Sequence, residues 1–122
     1  MYTLHQTEGV ILAAHDMGEA DRFYTVFSRD HGKIEVFAKS VRLEKSKLRY
    51  HLRSCARVRI SFVEGKNMFR LTDAEELESP PEDELSYAMA RRAAQFLERM
   101  VAGQERDLSL WAVVVSGFCR SR

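Results

Sequence analysis

The chain has 122 residues, 45% of them apolar and 30% charged, and a formal net charge of +1. That size and balance fit one globular domain and part of a second, and they exclude a disordered chain. No apolar run reaches the roughly 20 residues that cross a bilayer, and "MYTLHQTEGVILAAHD" lacks the basic start and small-residue cleavage site of a secretory leader. The expectation is therefore a soluble, cytoplasmic protein.

The first two-thirds of the chain read as strands. "EGVILAA" is a short apolar run, and "DRFYTVFSR" alternates Phe23, Thr25 and Phe27 against Tyr24 and Val26. "GKIEVFAK" sets Ile34, Val36 and Ala38 against Glu35, Phe37 and Lys39, and "ARVRISF" sets Ala56, Val58, Ile60 and Phe62 against Arg57, Arg59 and Ser61. "NMFRLTDAE" is a weaker fifth strand. Gly18, Gly32 and Gly65 sit where hairpins turn and are expected to take positive φ there. The link between the third and fourth strands is longer, and Leu43, Leu48 and Leu52 give it the pattern of a short helical turn. Five antiparallel strands with one long third connection suggest a closed barrel of the OB type. After Pro80 and Pro81 the texture turns helical, with Leu85, Ala88, Met89, Phe96, Leu97 and Met100 at helical spacing and Gly103 as a stop. "ERDLSLWAVVVSGFCRSR" fits a second helix carrying Leu108, Trp111, Val115 and Phe118 on one side, or a buried strand. The predicted fold is α+β: an OB-fold β-barrel over residues 1–79, then the start of a helical domain over 80–122 that is expected to be incomplete. The apolar helical face needs the barrel or another subunit to cover it, which suggests a homo-oligomer.

The near-zero net charge hides strong segregation. Residues 33–70 carry eleven Lys or Arg and three acids, whereas residues 71–110 carry ten acids and four basic side chains. Such a basic middle points to a polyanion partner more than the overall charge does. If Val58 and Ile60 face the core, Arg57 and Arg59 face outward, and by the same alternation Phe37 and Lys39 do too. Cations interleaved with an exposed aromatic are what single-stranded nucleic acid binds: bases stack on rings while cations track phosphates. Lys33 on the third strand and Arg42, Lys45, Lys47, Arg49 and Arg53 in the long loop extend that patch. The plainer alternative is a solvated surface whose arginines pair with the chain's many acids.

Other chemistry has little support. "VEGK" lacks the first glycine and the following Ser or Thr of a phosphate loop. His15, Asp16, Glu19 and Asp21 are a weak metal cluster across a turn. Cys55 and Cys119 lie far apart and form no CxxC pair, so no zinc site is expected. Cys55 has basic neighbours, yet reads as a small buried thiol. No catalytic constellation is present, and neither an enzyme nor a cofactor is expected.

"GEADRFYTVFSRDHGKIEVFAKSVRLEKSKLRYHL" resembles the N-terminal region of the RecO family of bacterial recombination mediators. The landmarks are Gly18, Glu19, Asp21 and Arg22; Gly32 and Lys33; Ala38, Lys39 and Arg42; Ser46 and Leu52; and, later, Arg70, Leu71, Thr72, Ala74 and Glu75. The resemblance implies an OB barrel followed by helices, binding of single- and double-stranded DNA, and strand annealing in a nucleoid-associated protein. It also implies cooperation with RecR and the single-strand binding protein SSB in loading RecA. The family's basic positions carry onto Lys39, Arg42, Lys45 and Lys47, whereas Lys33, Phe37, Arg49, Arg57 and Arg59 come from the alternation. Two departures stand out. Ser40 replaces the glycine common after the Ala-Lys pair, which strains a turn of positive φ. Family members also run to about twice this length, and the later four-cysteine zinc motif that many carry is absent, so the chain is expected to be a fragment. The competing function is a protein-interaction module whose basic patch takes an acidic peptide such as an SSB tail.

Overall fold

The computed structural model describes residues 3–43, 46–66, 68–101, 103 and 106–118, of which 117 and 118 are described by backbone alone. The elements run β1 (Leu4–Met17), β2 (Asp21–Ser28), β3 (Gly32–Ala38), β4 (Arg57–Glu64), β5 (Phe69–Glu78), α1 (Glu84–Met100) and α2 (Leu108–Phe118). The strands close into a barrel in the order β1-β2-β3-β5-β4, as the OB reading expects. β1 is longer than its apolar run because it serves two neighbours. Leu4–Val10 pairs with β4, and Gly9–Met17 pairs with β2. Gly9 and Val10 belong to both ladders. A Cβ on Gly9 would stand 2.4 Å from Val26 Cγ1.

Alternation fills the barrel as predicted. Tyr24 and Val26 from β2, Ile34, Val36 and Ala38 from β3, and Val58, Ile60 and Phe62 from β4 form one buried cluster. Val41, Leu48 and Leu52 of the long β3–β4 connection pack against it, and a 3-10 turn at Leu48–His51 supplies the expected helical piece. Leu43 is instead exposed.

The helices build a second core on the outside of the barrel. Val10, Leu12, Phe27 and Cys55 lie beneath Ala90, Ala94, Leu97, Trp111, Val114 and Val115. "WAVVV" is therefore helical. α1 starts at Asp83, whose side chain accepts from Ser86 N at 2.7 Å as an N-cap. The buried face of α1 is its alanine face, joined by Leu97 of the expected apolar set, whereas Leu85, Ala88, Met89, Phe96 and Met100 of that set are exposed. Leu108 is also exposed, and the Phe118 side chain lies outside the described residues.

The turns hold one surprise. Gly18 and Gly32 have φ of 60° and 67°, as expected, but Gly65 is not among the positive-φ glycines. Its value lies in close approach: Gly65 N donates to Met68 O at 2.8 Å, and a Cβ there would meet that same oxygen at 3.0 Å. Ser40 does take φ 60°, the conformation that disfavours a side chain, while its N–H donates to Asp21 Oδ1 at 2.6 Å.

Two substitutions test these backbone constraints. Gly9→Ala is expected to cost about 2 kcal/mol, because the new methyl displaces Val26 at the strand that closes the barrel. Ser40→Gly is expected to add about 1 kcal/mol by relieving the left-handed backbone while keeping its hydrogen bond. Urea-unfolding midpoints against the parent check both.

Candidate nucleic-acid interface

The β2–β3 turn decides which side chains meet on the outside of the barrel. Ser28 Oγ donates to Gly32 O at 2.8 Å and accepts from His31 N at 3.0 Å, locking the hairpin. Counting back from that turn, Phe23 falls directly opposite Phe37. Their rings lie 5.2 Å apart, tilted, and half-buried on the outer face. A short parallel pairing of β3 with β5 sets Arg70 beside Phe37. The β4–β5 turn brings up Lys66 and Met68, and Lys39 follows β3.

These residues line two adjoining depressions. One, of about 650 Å³, is bounded by Phe23, Lys33, Glu35, Glu64, Lys66 and Met68. The other, of about 390 Å³, is bounded by Asp21, Phe37, Lys39, Lys66, Met68 and Arg70. Both share Gly65, Lys66 and Met68, so they form one shelf along the β2–β3 face. Lys39, Lys66 and Arg70 are exposed, and none of the three is in an ion pair among the described residues.

The other basic residues fall into three settings. In the long loop, Arg42 donates to Gly18 O at 2.8 Å and stands 3.7 Å from Asp16. Arg49 donates to Arg42 O and to Tyr50 Oη, and lies 5.0 Å above the Tyr50 ring. Lys47 is exposed, and Lys45 lies outside the described residues. Lys33 is committed elsewhere, because its Nζ donates to the Glu98 carbonyl in the last turn of α1. A cation there suits the negative end of the helix.

On β4 the arginines point outward as expected, with Val58 and Ile60 fully buried behind them, but they are not free. Arg57 donates to Glu8 at 2.7 Å and Glu78 at 2.8 Å, Arg59 to Glu75 at 3.0 Å, and Arg53 to Glu76 through two bonds. The pairing register puts Arg57 opposite Glu78 and Arg59 opposite Glu75, so the basic and acidic blocks of the sequence meet across one hairpin. The hydrogen bond from Arg53 holds the Glu76 carboxyl below its ordinary range.

The acidic turn is likewise engaged. Asp16 accepts from Arg22 at 2.8 Å, which lowers its pKa, Asp21 holds Ser40 N, and His15 faces Glu98. No group of three or more His, Cys, Asp or Glu side chains among the described residues is placed to hold a metal. Burial raises the Cys55 thiol to about 11, so it is a poor nucleophile. No helix among the described residues is long and apolar enough to cross a membrane.

Of the predicted site residues, the structure gathers Phe37 and Lys39 on the shelf, with Lys33 at its edge bonded to Glu98, and adds Phe23, Lys66 and Arg70, which strand alternation alone does not single out. Phe23 is legible from the spacing of the Gly32 turn. Lys66 and Arg70 are not, because they depend on the parallel β3–β5 contact.

A closed five-stranded barrel in this order, with an aromatic and cationic shelf on its β2–β3 face, is an OB barrel. Residues 1–80 match the family model described as recombination protein O N terminal. The chain belongs to the RecO family. The DNA repair protein RecO of Bifidobacterium longum subsp. infantis is 34% identical over 109 residues, which cover 86% of this chain and 45% of that protein. That of Bifidobacterium adolescentis is 40% identical over 74 residues, covering 61% of this chain and 30% of its own. That of Moorella thermoacetica is 38% identical over 72 residues, covering 59% and 27%. The chain thus spans less than half the length of these curated relatives.

The Arg53–Glu76 pair offers a pH test. Glu76 has its pKa lowered by folding, so its contribution is fully present above its ordinary value of 4.5 and lost as pH falls through the lower folded value. Glu76→Gln is expected to cost about 1 kcal/mol at pH 7, with the difference from the parent shrinking as pH falls below 4.5. Urea unfolding at pH 7, 5 and 3 reads it.

Proposed function

We propose that this chain is a non-enzymatic DNA-binding module that acts in DNA repair and recombination, with the β2–β3 shelf as its strand-binding surface. The observation that carries the reading is the Phe23–Phe37 pair flanked by Lys39, Lys66 and Arg70, none of which is in an ion pair among the described residues. Bases stack on the two rings, and the three cations follow the phosphates. Arg42, Lys47 and Arg49, with Lys45 of the same loop, extend the track from the end of β3. Arg57 and Arg59 serve the β4–β5 charge ladder, and Lys33 serves α1. Neither the stacking surface nor the cations read base edges, so sequence preference is weak and either single or double strands are bound. Strand annealing, support of RecA loading, and contacts with RecR and SSB follow as further parts of this reading, supported by family membership and by relatives named DNA repair proteins. Residues 1–79 form the binding unit, and α1 and α2 of the region 80–122 pack on the outside of its barrel.

The test is a salt titration of binding to a fluorescent single-stranded oligonucleotide. The parent is expected to bind at low salt with a steep log–log dependence. Replacing Lys39, Lys66 and Arg70 by Ala should flatten the slope by about 2, at roughly 0.7 for each phosphate no longer neutralised. Phe37→Ala should weaken binding about tenfold with the slope unchanged, since stacking contributes about 1–3 kcal/mol per base. Removing a paired set, Arg59→Ala with Glu75→Ala, should leave both affinity and slope as they are. Binding that ignores all three shelf cations would overturn the assignment. A folded parent that binds an acidic peptide but not DNA would favour the protein-interaction reading.

A further inference from the structure

The larger depression on the shelf is built from three parts of the chain. β3 pairs with β5 only at Val36 and Phe37, so the first half of β3 stands apart from the β4–β5 turn. Phe23, Ile34 and Phe69 line the gap as an apolar floor. Glu35 belongs to its β3 side, and Glu64 and Met68 to its turn side. The third part is Gly103, which follows α1 and lines the same depression.

Lys33 ties that third part to the barrel. A helix leaves its last carbonyls without partners inside the helix. Val101 N takes the Leu97 carbonyl at 3.0 Å, and Lys33 Nζ takes that of Glu98. The Glu98 side chain is held as well, 3.4 Å from His15 Nε2 on β1. The end of α1 is therefore pinned to β3 one turn before the chain reaches Gly103. Lys33 stands opposite Phe27, which lies beneath the helices, whereas Phe23, four residues back on β2, stands in the depression. The tether thus sits where the helical core ends and the shelf begins.

Charge decides which part of a strand enters. Glu35 and Glu64 repel a phosphate from the larger depression, and the ammonium of Lys33 is already on the Glu98 carbonyl. Lys39, Lys66 and Arg70 border the smaller depression, where Asp21 is engaged by Ser40 N. A strand lying across both puts its backbone on the smaller side and a neutral base into the larger, over Phe23. The larger volume, about 650 Å³, is that of a small-ligand pocket. A base within a duplex is stacked and paired, so it does not enter without flipping out. We propose that this depression is a pocket for one unpaired nucleobase, that the end of α1 is its third wall, and that Lys33 is the residue that positions that wall. The proposal rests on the shelf being the strand-binding surface. It makes the helical region part of the strand site and leaves duplex binding to the shelf cations.

The test compares a fluorescent single strand with a blunt duplex of the same sequence, on the parent, Phe23→Ala, Lys33→Met and Lys33→Arg, each with the parental circular dichroism spectrum. Phe23→Ala should weaken single-strand binding about tenfold and leave the duplex affinity unchanged. Lys33→Met keeps the alkyl stem and loses the donor. It should weaken the single strand about fivefold, the equivalent of one lost hydrogen bond, with the salt slope and the duplex affinity unchanged. Lys33→Arg can still donate to the carbonyl and should restore most of the affinity. A slope that falls by about 0.7 in Lys33→Met marks a direct phosphate contact and overturns the positioning role. A parent that binds, with Phe23→Ala and Lys33→Met binding the single strand equally well, overturns the pocket and leaves the shelf standing. So does an equal loss on single strand and duplex. A parent that binds neither form overturns shelf and pocket together.

Discussion

Everything in this fold depends on β1 pairing on both edges at once. β2 and β4 carry two ladders along most of their length, whereas β1 passes from one neighbour to the other and overlaps only where the two meet. Here Gly9 and Val10 carry both the β2 and the β4 ladders. The side chain of Val26 occupies the space a Cβ on Gly9 would need. Beyond that point the pairing of β1 with β2 shifts register between Ile11 and Ala13, and Cys55 N and Ala56 O bond to Ile11 where the long loop returns. Closure at this position turns Ile11 into the barrel and leaves Val10 and Leu12 outside, and it is on Val10 and Leu12 that the helices settle.

The same closure redistributes charge. Along the chain, a basic block precedes an acidic one, and the natural inference is a single cationic face. In the fold, β4 and β5 run antiparallel, and the register brings the two blocks side chain to side chain, with Glu8 of β1 completing a three-strand ladder through Arg57. Ion pairs this exposed add little to stability individually. Their larger effect is to neutralise one side of the barrel and leave Lys39, Lys66 and Arg70 as the cations beside the aromatic pair.

What the sequence makes legible follows from the range of each interaction. Strand alternation is local, so the barrel interior, from Ile34 to Phe62, can be read residue by residue. Closure of the barrel is suggested by the long third connection, and the strain at Ser40 by the glycine it replaces. The partners of Arg57 and Arg59 are not legible, because a period-two pattern gives the face of a residue and not what stands across from it. The docked side of α1 is hidden for a related reason. Hydrophobicity favours the large residues Leu85 to Met100, whereas close packing against a barrel wall favours the small ones, Ala90 and Ala94.

The parallel contact between β3 and β5 consists of Val36 with Phe69 and Phe37 with Arg70, the shortest ladder in the barrel. It also runs directly beneath the shelf. A seam held by so few backbone bonds is the easiest place for the wall to breathe, since opening it gives up little of the interior. Under the proposed function, the surface that meets the strand is thus mounted on the joint of the barrel with the fewest pairings. On that reading, such a mount would let one groove adjust its width to purines and pyrimidines alike, a mechanical route to indifference toward base identity.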